Sequence, residues 1–246
     1  MNLASILFQV TVYKGALMSA GFVFGMKHAL DADHLAAVST IVSEKRSWLS
    51  SSLVGGLWGI GHTISLFAAG IVVLLLKIPI GPRLESALEM CVGVMLIGLG
   101  ANAVIKVLRG GQLHLHQHRH GGKTHLHPHT HEPGQAHDGA EASHHSAVSR
   151  RPLWIGMVHG LAGSAALMLL VLSTIQSPAI GLLYITVFGV GSVGGMMLMS
   201  LLLSLPFHLT SNRFHRANLT ARILAGAFSI GFGFLIIWEK GGELMS

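Results

Sequence analysis

Two histidines, two aspartates and a lysine fall within eight residues of the segment GMKHALDADH, which spans positions 25 to 34. The flanking segments, LMSAGFVF and LAAVSTIV, are almost entirely apolar. An aspartate at the centre of a membrane helix costs roughly 2.5 to 3.5 kcal/mol, so Asp31 and Asp33 need partners. Imidazole and carboxylate ligands suit nickel, cobalt and zinc ions, whereas calcium and magnesium prefer all-oxygen shells. The cluster therefore predicts a site for a divalent transition metal.

Helical spacing limits which of these side chains can bind one ion. His28, Asp31 and His34 recur every three residues and stay within about 120° of arc on a continuous helix, whereas Asp33 points about 140° away from His28. Either Asp33 has a second role, such as fixing a histidine tautomer, or the helix is unwound at the motif. The alternative is a purely structural ion pair between Lys27 and Asp31, which leaves Asp33 and both histidines unexplained.

Two more histidines lie in apolar segments, His62 in GIGHTIS and His159 in GMVHGLAGSAALM. We interpret His62 as a ligand, because a short loop joins its helix to the motif helix, although a hydrogen-bonded packing role is the alternative. His159 either lines the ion path or bonds the motif helix, and its neighbours include no carboxylate. The candidate metal-binding residues are therefore His28, Asp31, Asp33, His34, His62 and His159.

The composition indicates an integral membrane protein. Hydrophobic residues make up 51% of the 246 residues and charged residues 11%, and the mean hydropathy is +0.60. These values exceed those of ordinary soluble domains. A membrane-spanning helix needs about 20 mostly apolar residues. Six such segments occur, at about 16–42, 52–76, 84–107, 153–175, 178–205 and 219–238.

The first half of the chain resembles the second. GMKHALDADHLAA at 25 aligns with GMVHGLAGSAALM at 156, GIGHT at 59 with GVGSV at 189, and GVMLIGLG at 93 with GAFSIGFG at 226. An odd number of helices per repeat places the halves in opposite orientations, as in many secondary transporters. Chance likeness between glycine-rich helices is the alternative. We expect an all-α protein with six transmembrane helices as a 3+3 inverted repeat, residues 1–108 and 152–246 being the two repeats.

Charge and cysteine usage bear on orientation and compartment. Lysine and arginine are concentrated in the loops after the first, third and fifth segments, so the positive-inside rule predicts that these loops are cytoplasmic and both termini outside. The net charge of +6 is therefore taken as a signal of orientation and not of nucleic-acid binding. No signal peptide is expected, because no lysine or arginine precedes Lys14. Cys91 is the only cysteine, which excludes an intrachain disulfide and a thiolate metal cluster.

The segment 109–151 interrupts the membrane pattern with 11 histidines in a polar stretch that includes HLHQHRHGGKTHLHPHTH. We expect a disordered cytoplasmic His-rich loop. Histidines on a flexible chain chelate Ni²⁺, Zn²⁺ or Cu²⁺, which favours a metal-storing or hand-off role; a spacer with no transport role is the alternative. GGKT at 121–124 is not a phosphate loop, because the earlier glycine of that motif is Gln117 here.

These motifs carry a family resemblance. HALDADH at 28–34 resembles the His-x4-Asp-His signature of the nickel/cobalt permease family, and GHT at 61–63 resembles the next helix of that family. Nearly the whole chain outside the loop, especially MVHGLAGSAALMLLVLS at 157–173, is similar to the compact UreH-type members, described as urease accessory permeases. His28, Asp33, His34 and His62 match the signature positions. The second half departs from the family, with GLAGSAAL where classical members carry an acidic, threonine-containing motif.

The resemblance implies uptake of Ni²⁺ or Co²⁺ across the cytoplasmic membrane, with the ion as substrate and no cofactor. A cytoplasmic nickel chaperone or the urease maturation proteins are the expected partners, with no nucleic acid. A dication gains about 4.6 kcal/mol per 100 mV of inside-negative potential, so a secondary permease needs no ATP. The chain is then not an enzyme. The alternatives are a divalent-metal exporter, an intramembrane metal-dependent hydrolase and a metal sensor that does not transport.

Overall fold

The computed structural model describes residues 3–43, 47–76, 81–109, 113–120, 123–130, 150–163, 171, 175, 177–211 and 215–245. These residues form seven helices and one two-stranded antiparallel sheet. In chain order the elements are α1 (Leu3–His28), α2 (Ala32–Val42), α3 (Trp48–Leu76), α4 (Pro82–Leu108), β1 (Leu113–His120), β2 (Lys123–Thr130), α5 (Arg151–Ala162), α6 (Pro178–Ser211) and α7 (His215–Met245).

Four of the described helices are long and apolar enough to cross a membrane: α3, α4, and the parts of α6 and α7 at Pro178–His208 and Arg216–Leu244. Large apolar side chains face outward, as at Trp238, which is 87% exposed, and Leu76, which is 61% exposed. The buried positions include small polar residues such as Ser192 and Ser229 beside the apolar core. This distribution is typical of a protein surrounded by lipid, where small residues let helices pack closely. The described chain therefore contains four candidate membrane spans, and the six-helix 3+3 arrangement stays a prediction.

The segment predicted as one helix over 16–42 consists of two helices. α1 ends at His28, and the next residues form a turn in which the Leu30 N–H donates to the Lys27 carbonyl at 2.8 Å. Asp31 has an extended backbone, with φ −62° and ψ 146°, and is the N-cap of α2. The Asp31 side chain forms no capping hydrogen bond, and Asp33 in the first turn lies at the positive end of the helix dipole. Of the two arrangements predicted for the motif, the continuous helix is wrong, and the helix that is unwound at the motif is confirmed.

The helices pack in pairs that use equivalent positions. α1 packs on α6, α5 on α3, and α4 on α7. At four glycines of the first two pairs, an added Cβ atom would collide with a backbone carbonyl oxygen of the facing helix. The four contacts are Gly25 with Phe188, Gly156 with Trp58, Gly191 with Phe22, and Gly61 with Leu153. These contacts form two equivalent pairs, since the repeat offset of 130 or 131 residues relates Gly25 to Gly156 and Trp58 to Phe188. The same offset relates Gly61 to Gly191 and Phe22 to Leu153. The same close packing thus occurs twice.

Two strands are described within the segment 109–151, and the disordered cytoplasmic loop expected for the segment as a whole stays a prediction. β1 and β2 pair antiparallel, with His116 opposite His127 and His120 opposite Lys123. Histidine alternates with other residues along both strands, which is the period of a β-strand, and Gly-Gly between two such runs is a hairpin signal. Residues 110–112, 121–122 and 131–149 lie outside the described residues, and the repeat boundaries at 108 and 152 stay predictions.

Two other predicted segments are described only in part or with different bounds. The helix expected at 153–175 corresponds to α5, which begins at Arg151 and is followed as a helix to Ala162. Most of the remainder, 164–170 and 172–174, lies outside the described residues. At the amino terminus, α1 begins at Leu3, so the first residues extend the first helix.

The glycine contacts generate a matched test within α6. We expect Gly191→Ala to lower the thermal unfolding midpoint of the detergent-solubilised protein, because the new methyl group collides with the Phe22 carbonyl oxygen. Overpacking of this kind costs about 1 to 3 kcal/mol. Gly194→Ala is the control, since nothing lies within 4 Å of a Cβ atom there. Equal midpoints for the two variants would contradict the close approach of α1 and α6.

Candidate metal centre

The break between α1 and α2 brings four titratable side chains to one place. His28 is the last residue of α1, Asp31 caps α2, and Asp33 and His34 lie in its first turn. His62 reaches the same place from the middle of α3, and His159 from the end of α5. All six residues predicted from the sequence therefore meet in one cluster.

His159 reaches this cluster because α5 lies directly against α3. A Cβ atom at Gly160 would be 2.7 Å from the Cα atom of His62, so only glycine allows this approach. The backbones of the two helices then touch beside both histidines. The glycine thus positions a second-half histidine next to the residues of the first half.

The first of two ligand groups consists of His28, His34 and His62, whose nitrogens all lie within 4.8 Å of one another. The His28 Nδ1–H donates to Asp31 Oδ2 at 2.7 Å. Because a carboxylate only accepts, the Nε2 atom of His28 keeps its lone pair. This atom accepts a hydrogen bond from the Nε2–H of His62 at 3.3 Å. Two imidazole nitrogens bound to one tetrahedral ion at about 2.0 to 2.1 Å are also about 3.3 Å apart.

The second group consists of Asp33, His34 and His159, again with ligand atoms within 4.8 Å. The His34 Nδ1–H donates to Asp33 Oδ1 at 3.0 Å, and the His159 Nε2–H donates to Asp33 Oδ2 at 2.7 Å. Asp33 therefore fixes the tautomer of His34, the second role considered for it from the sequence. It also connects the first half of the chain to the second.

The cluster is buried at its histidines and more open at its carboxylates. His34 and His62 are 0% exposed and His159 is 1% exposed, whereas the Asp31 side chain is 52% exposed. Three buried ring nitrogens have no hydrogen-bond partner among the described residues: Nε2 of His34, Nδ1 of His62 and Nδ1 of His159. A buried polar atom without a partner costs about 1 to 3 kcal/mol. This arrangement suits a site whose nitrogens bind a ligand.

Two aromatic residues that the sequence reasoning missed enclose the histidines. The Trp58 ring lies 5.2 Å from the ring of His34 and 5.4 Å from that of His159, between centroids, and the Phe188 ring lies 5.5 Å from that of His28. Each aromatic directly precedes one of the aligned segments GIGHT and GVGSV. Extending that alignment by one residue would have found the pair.

The ion pair between Lys27 and Asp31, considered from the sequence, is not the one that forms. Asp31 accepts a hydrogen bond from His28, three residues before it. Lys27 is exposed and forms no ion pair within the described part of the chain. An ion pair between residues four apart needs a continuous helix, and the turn between α1 and α2 interrupts the helix between Lys27 and Asp31.

The chain is similar to two known proteins, and to one of them over most of its length. It is 37% identical over 226 residues to the urease accessory protein UreH of Bacillus sp. (strain TB-90), covering 92% of each chain. It is also 39% identical over 95 residues to the chloroplast protein FOR GROWTH AND FERTILITY 1 of Arabidopsis thaliana, which is 37% of this chain and 25% of that protein. No family model and no solved structure matches the chain.

The first of these relatives shows the family, because the similarity extends across both halves of the chain and includes the motif. That relative is named as an accessory protein of urease. The helical membrane fold and the histidine and aspartate cluster agree with the resemblance found in the sequence. The chain therefore belongs to the UreH-type urease accessory proteins of the nickel/cobalt transporter family.

Proposed function

We propose that this protein is a secondary permease that takes up Ni²⁺ or Co²⁺ across the cytoplasmic membrane. The observation that carries the proposal is the cluster of four histidines and two aspartates at a helix break inside an apolar protein. An ion entering the cluster exchanges part of its water shell for imidazole nitrogens. The transported ion is the substrate, and the transport needs no cofactor.

The ligand types support nickel and cobalt as substrates. The group of His28, His34 and His62 offers three imidazole nitrogens, which suit borderline divalent ions far better than calcium or magnesium. Asp31 and Asp33 each accept a hydrogen bond from the Nδ1 atom of one of these histidines. Carboxylates in this position orient a metal-binding imidazole and raise its basicity. The general affinity order for divalent metals favours Ni²⁺ over Co²⁺ at such a site.

The fold supports alternating access to this cluster. The contact of Gly25 with Phe188 and its equivalent, Gly156 with Trp58, support an inverted repeat of three helices in each half. Interrupted helices at the interface of such repeats carry the ion sites of many secondary transporters. We further propose that both termini lie outside and the His-rich loop in the cytoplasm, in accordance with the positive-inside rule. The membrane potential then drives the dication inward.

The name of the bacterial relative suggests a destination for the ion. As an accessory protein of urease, a UreH-type permease would supply metal for urease maturation. A cytoplasmic nickel chaperone or the urease maturation proteins would receive the ion on the inner side. Measuring the metal content of a deletion strain distinguishes uptake from export, because the content falls if an importer is lost and rises if an exporter is lost.

Removing ligands should abolish uptake. We expect His28→Ala, His34→Ala and Asp33→Ala each to reduce ⁶³Ni uptake by cells at least about tenfold, because each loses a ligand or the carboxylate that orients one. Lys27→Ala is the matched control, since Lys27 precedes His28 and forms no ion pair within the described residues. Uptake at the wild-type rate by all three ligand variants, at equal membrane abundance, would refute the assignment.

Acid should inhibit transport. Protons compete with the metal ion for the lone pairs of the imidazoles and carboxylates, so we expect ⁶³Ni uptake into proteoliposomes to fall from neutral to acid pH. The membrane potential is held constant with a potassium gradient and valinomycin, so that only the ligands respond to pH. Uptake that is unchanged or faster in acid would exclude these ligands from the transport path.

The His-rich loop should bind metal without forming the transport site. We expect replacement of its 11 histidines by serine to reduce the nickel bound per purified chain, while uptake at saturating nickel is retained. None of these histidines belongs to the two ligand groups within the described residues. Nickel content is measured after gel filtration, and uptake in proteoliposomes. Loss of saturating uptake would show that the loop is part of the path.

A further inference from the structure

We propose that the cluster provides two ion positions in series that share His34 and can be filled only one at a time. The first position is formed by His28, His34 and His62, and the second by Asp33, His34 and His159. This inference rests on the proposed function and specifies how the same site passes an ion from one half of the protein to the other.

His34 lies between the other histidines. Its ring centroid is 4.4 Å from that of His28, 5.2 Å from that of His62 and 4.2 Å from that of His159. The rings of His62 and His159 are farther apart, at 6.0 Å. The two ring nitrogens of His34 also differ in their surroundings, since Nδ1 contacts Asp33 and Nε2 is buried without a hydrogen-bond partner among the described residues. The residue is therefore placed to serve both groups.

The tautomer of His34 makes the two positions mutually exclusive. A neutral imidazole has one nitrogen with a proton and one with a free lone pair. While Nδ1–H donates to Asp33, the lone pair on Nε2 is free for an ion held with His28 and His62. An ion held with Asp33 and His159 instead needs the lone pair on Nδ1, and the proton must then be on Nε2. One His34 ring cannot bind both ions as a neutral ligand.

The number of protons bound to the cluster stays the same when the ion passes from the first position to the second. The proton of His34 leaves Nδ1 and one returns at Nε2, while that of His159 leaves Nε2 and one returns at Nδ1. Water from the shell of the ion accepts and returns both protons, because both receiving nitrogens are buried without a hydrogen-bond partner among the described residues. These changes free Asp33 and one nitrogen of each ring for the ion. No proton enters or leaves the cluster, so the ion carries its own two charges across. The second position differs chemically from the first, with one carboxylate and two imidazoles replacing three imidazoles.

Exposure suggests the order in which the positions fill. The first position includes His28, whose side chain is 19% exposed and hydrogen bonded to the more exposed Asp31. The second includes His159, which is 1% exposed and comes from the second half of the chain. The first position is therefore the nearer of the two to the protein surface, and an ion that enters from that surface reaches the second through His34.

Cobalt binding to single-position variants tests this arrangement. The full-length chain with its 11 loop histidines replaced by serine is reconstituted in lipid nanodiscs, and Co²⁺ is the probe. We expect one Co²⁺ per chain in this background, in His62→Ala and in His159→Ala, and none in His34→Ala. His62→Ala keeps the second position, with two imidazoles, and His159→Ala keeps the first, with three. X-ray absorption at the cobalt edge should therefore show fewer imidazoles bound to cobalt in His62→Ala than in His159→Ala. Both of these variants should lose at least tenfold in uptake, because neither can pass the ion on.

Folding and the proposed function are checked separately. His62→Gln and His159→Gln conserve bulk and polarity, and only variants with the thermal unfolding midpoint of the background are compared. Two Co²⁺ ions per chain in the background, or loss of all binding in a folded His62 or His159 variant, would overturn the two-position arrangement while leaving the permease intact. A background chain that neither binds nor transports Co²⁺ would instead overturn the proposed function, and this inference with it.

Discussion

The hydrogen bonds that Asp33 accepts from His34 and His159 are the interaction on which the rest of the site depends. A carboxylate in an apolar protein is costly unless it is paired and hydrogen bonded. Here both of its oxygens have imidazole partners, and the start of α2 adds the positive end of a helix dipole. Since the two partners come from different halves of the chain, this one side chain also holds the halves together at the cluster.

The backbone arrangement follows from that requirement. Asp33 can face the cluster with His28 only because α1 ends at His28 and a new helix begins at Ala32. His159 can reach Asp33 only because Gly160 lets α5 lie against α3. The aromatic rings of Trp58 and Phe188 then enclose the imidazoles with apolar surface. Polar ligands in an apolar shell are the conditions under which a hydrated ion exchanges water for protein nitrogens.

Much of the site could be predicted from the sequence, because charged residues stand out in apolar segments. Five of the six candidate residues form the two ligand groups, and Asp31 is hydrogen bonded to one of them. The four long apolar helices begin within four residues of their predicted starts, and the last extends six residues beyond its predicted end. The choice of partner for Asp31 could not be made from the sequence, since helical spacing allows both Lys27, four residues before it, and His28, three residues before it. In the structure the partner is His28. Trp58 was missed because an aromatic residue in an apolar helix carries no signal by itself. In the segment 109–151, composition indicated disorder, whereas the alternation of histidines along β1 and β2 is typical of strands.

The central claim is that the buried histidines bind the transported ion, and anomalous scattering from crystals of the nickel-loaded protein tests it most directly. Data collected on both sides of the nickel absorption edge identify the metal and its place. The account predicts an anomalous peak within bonding distance of the His34 ring, bounded either by His28 and His62 or by Asp33 and His159. A peak found only at histidines of the segment 109–151, with none at His34, would contradict it.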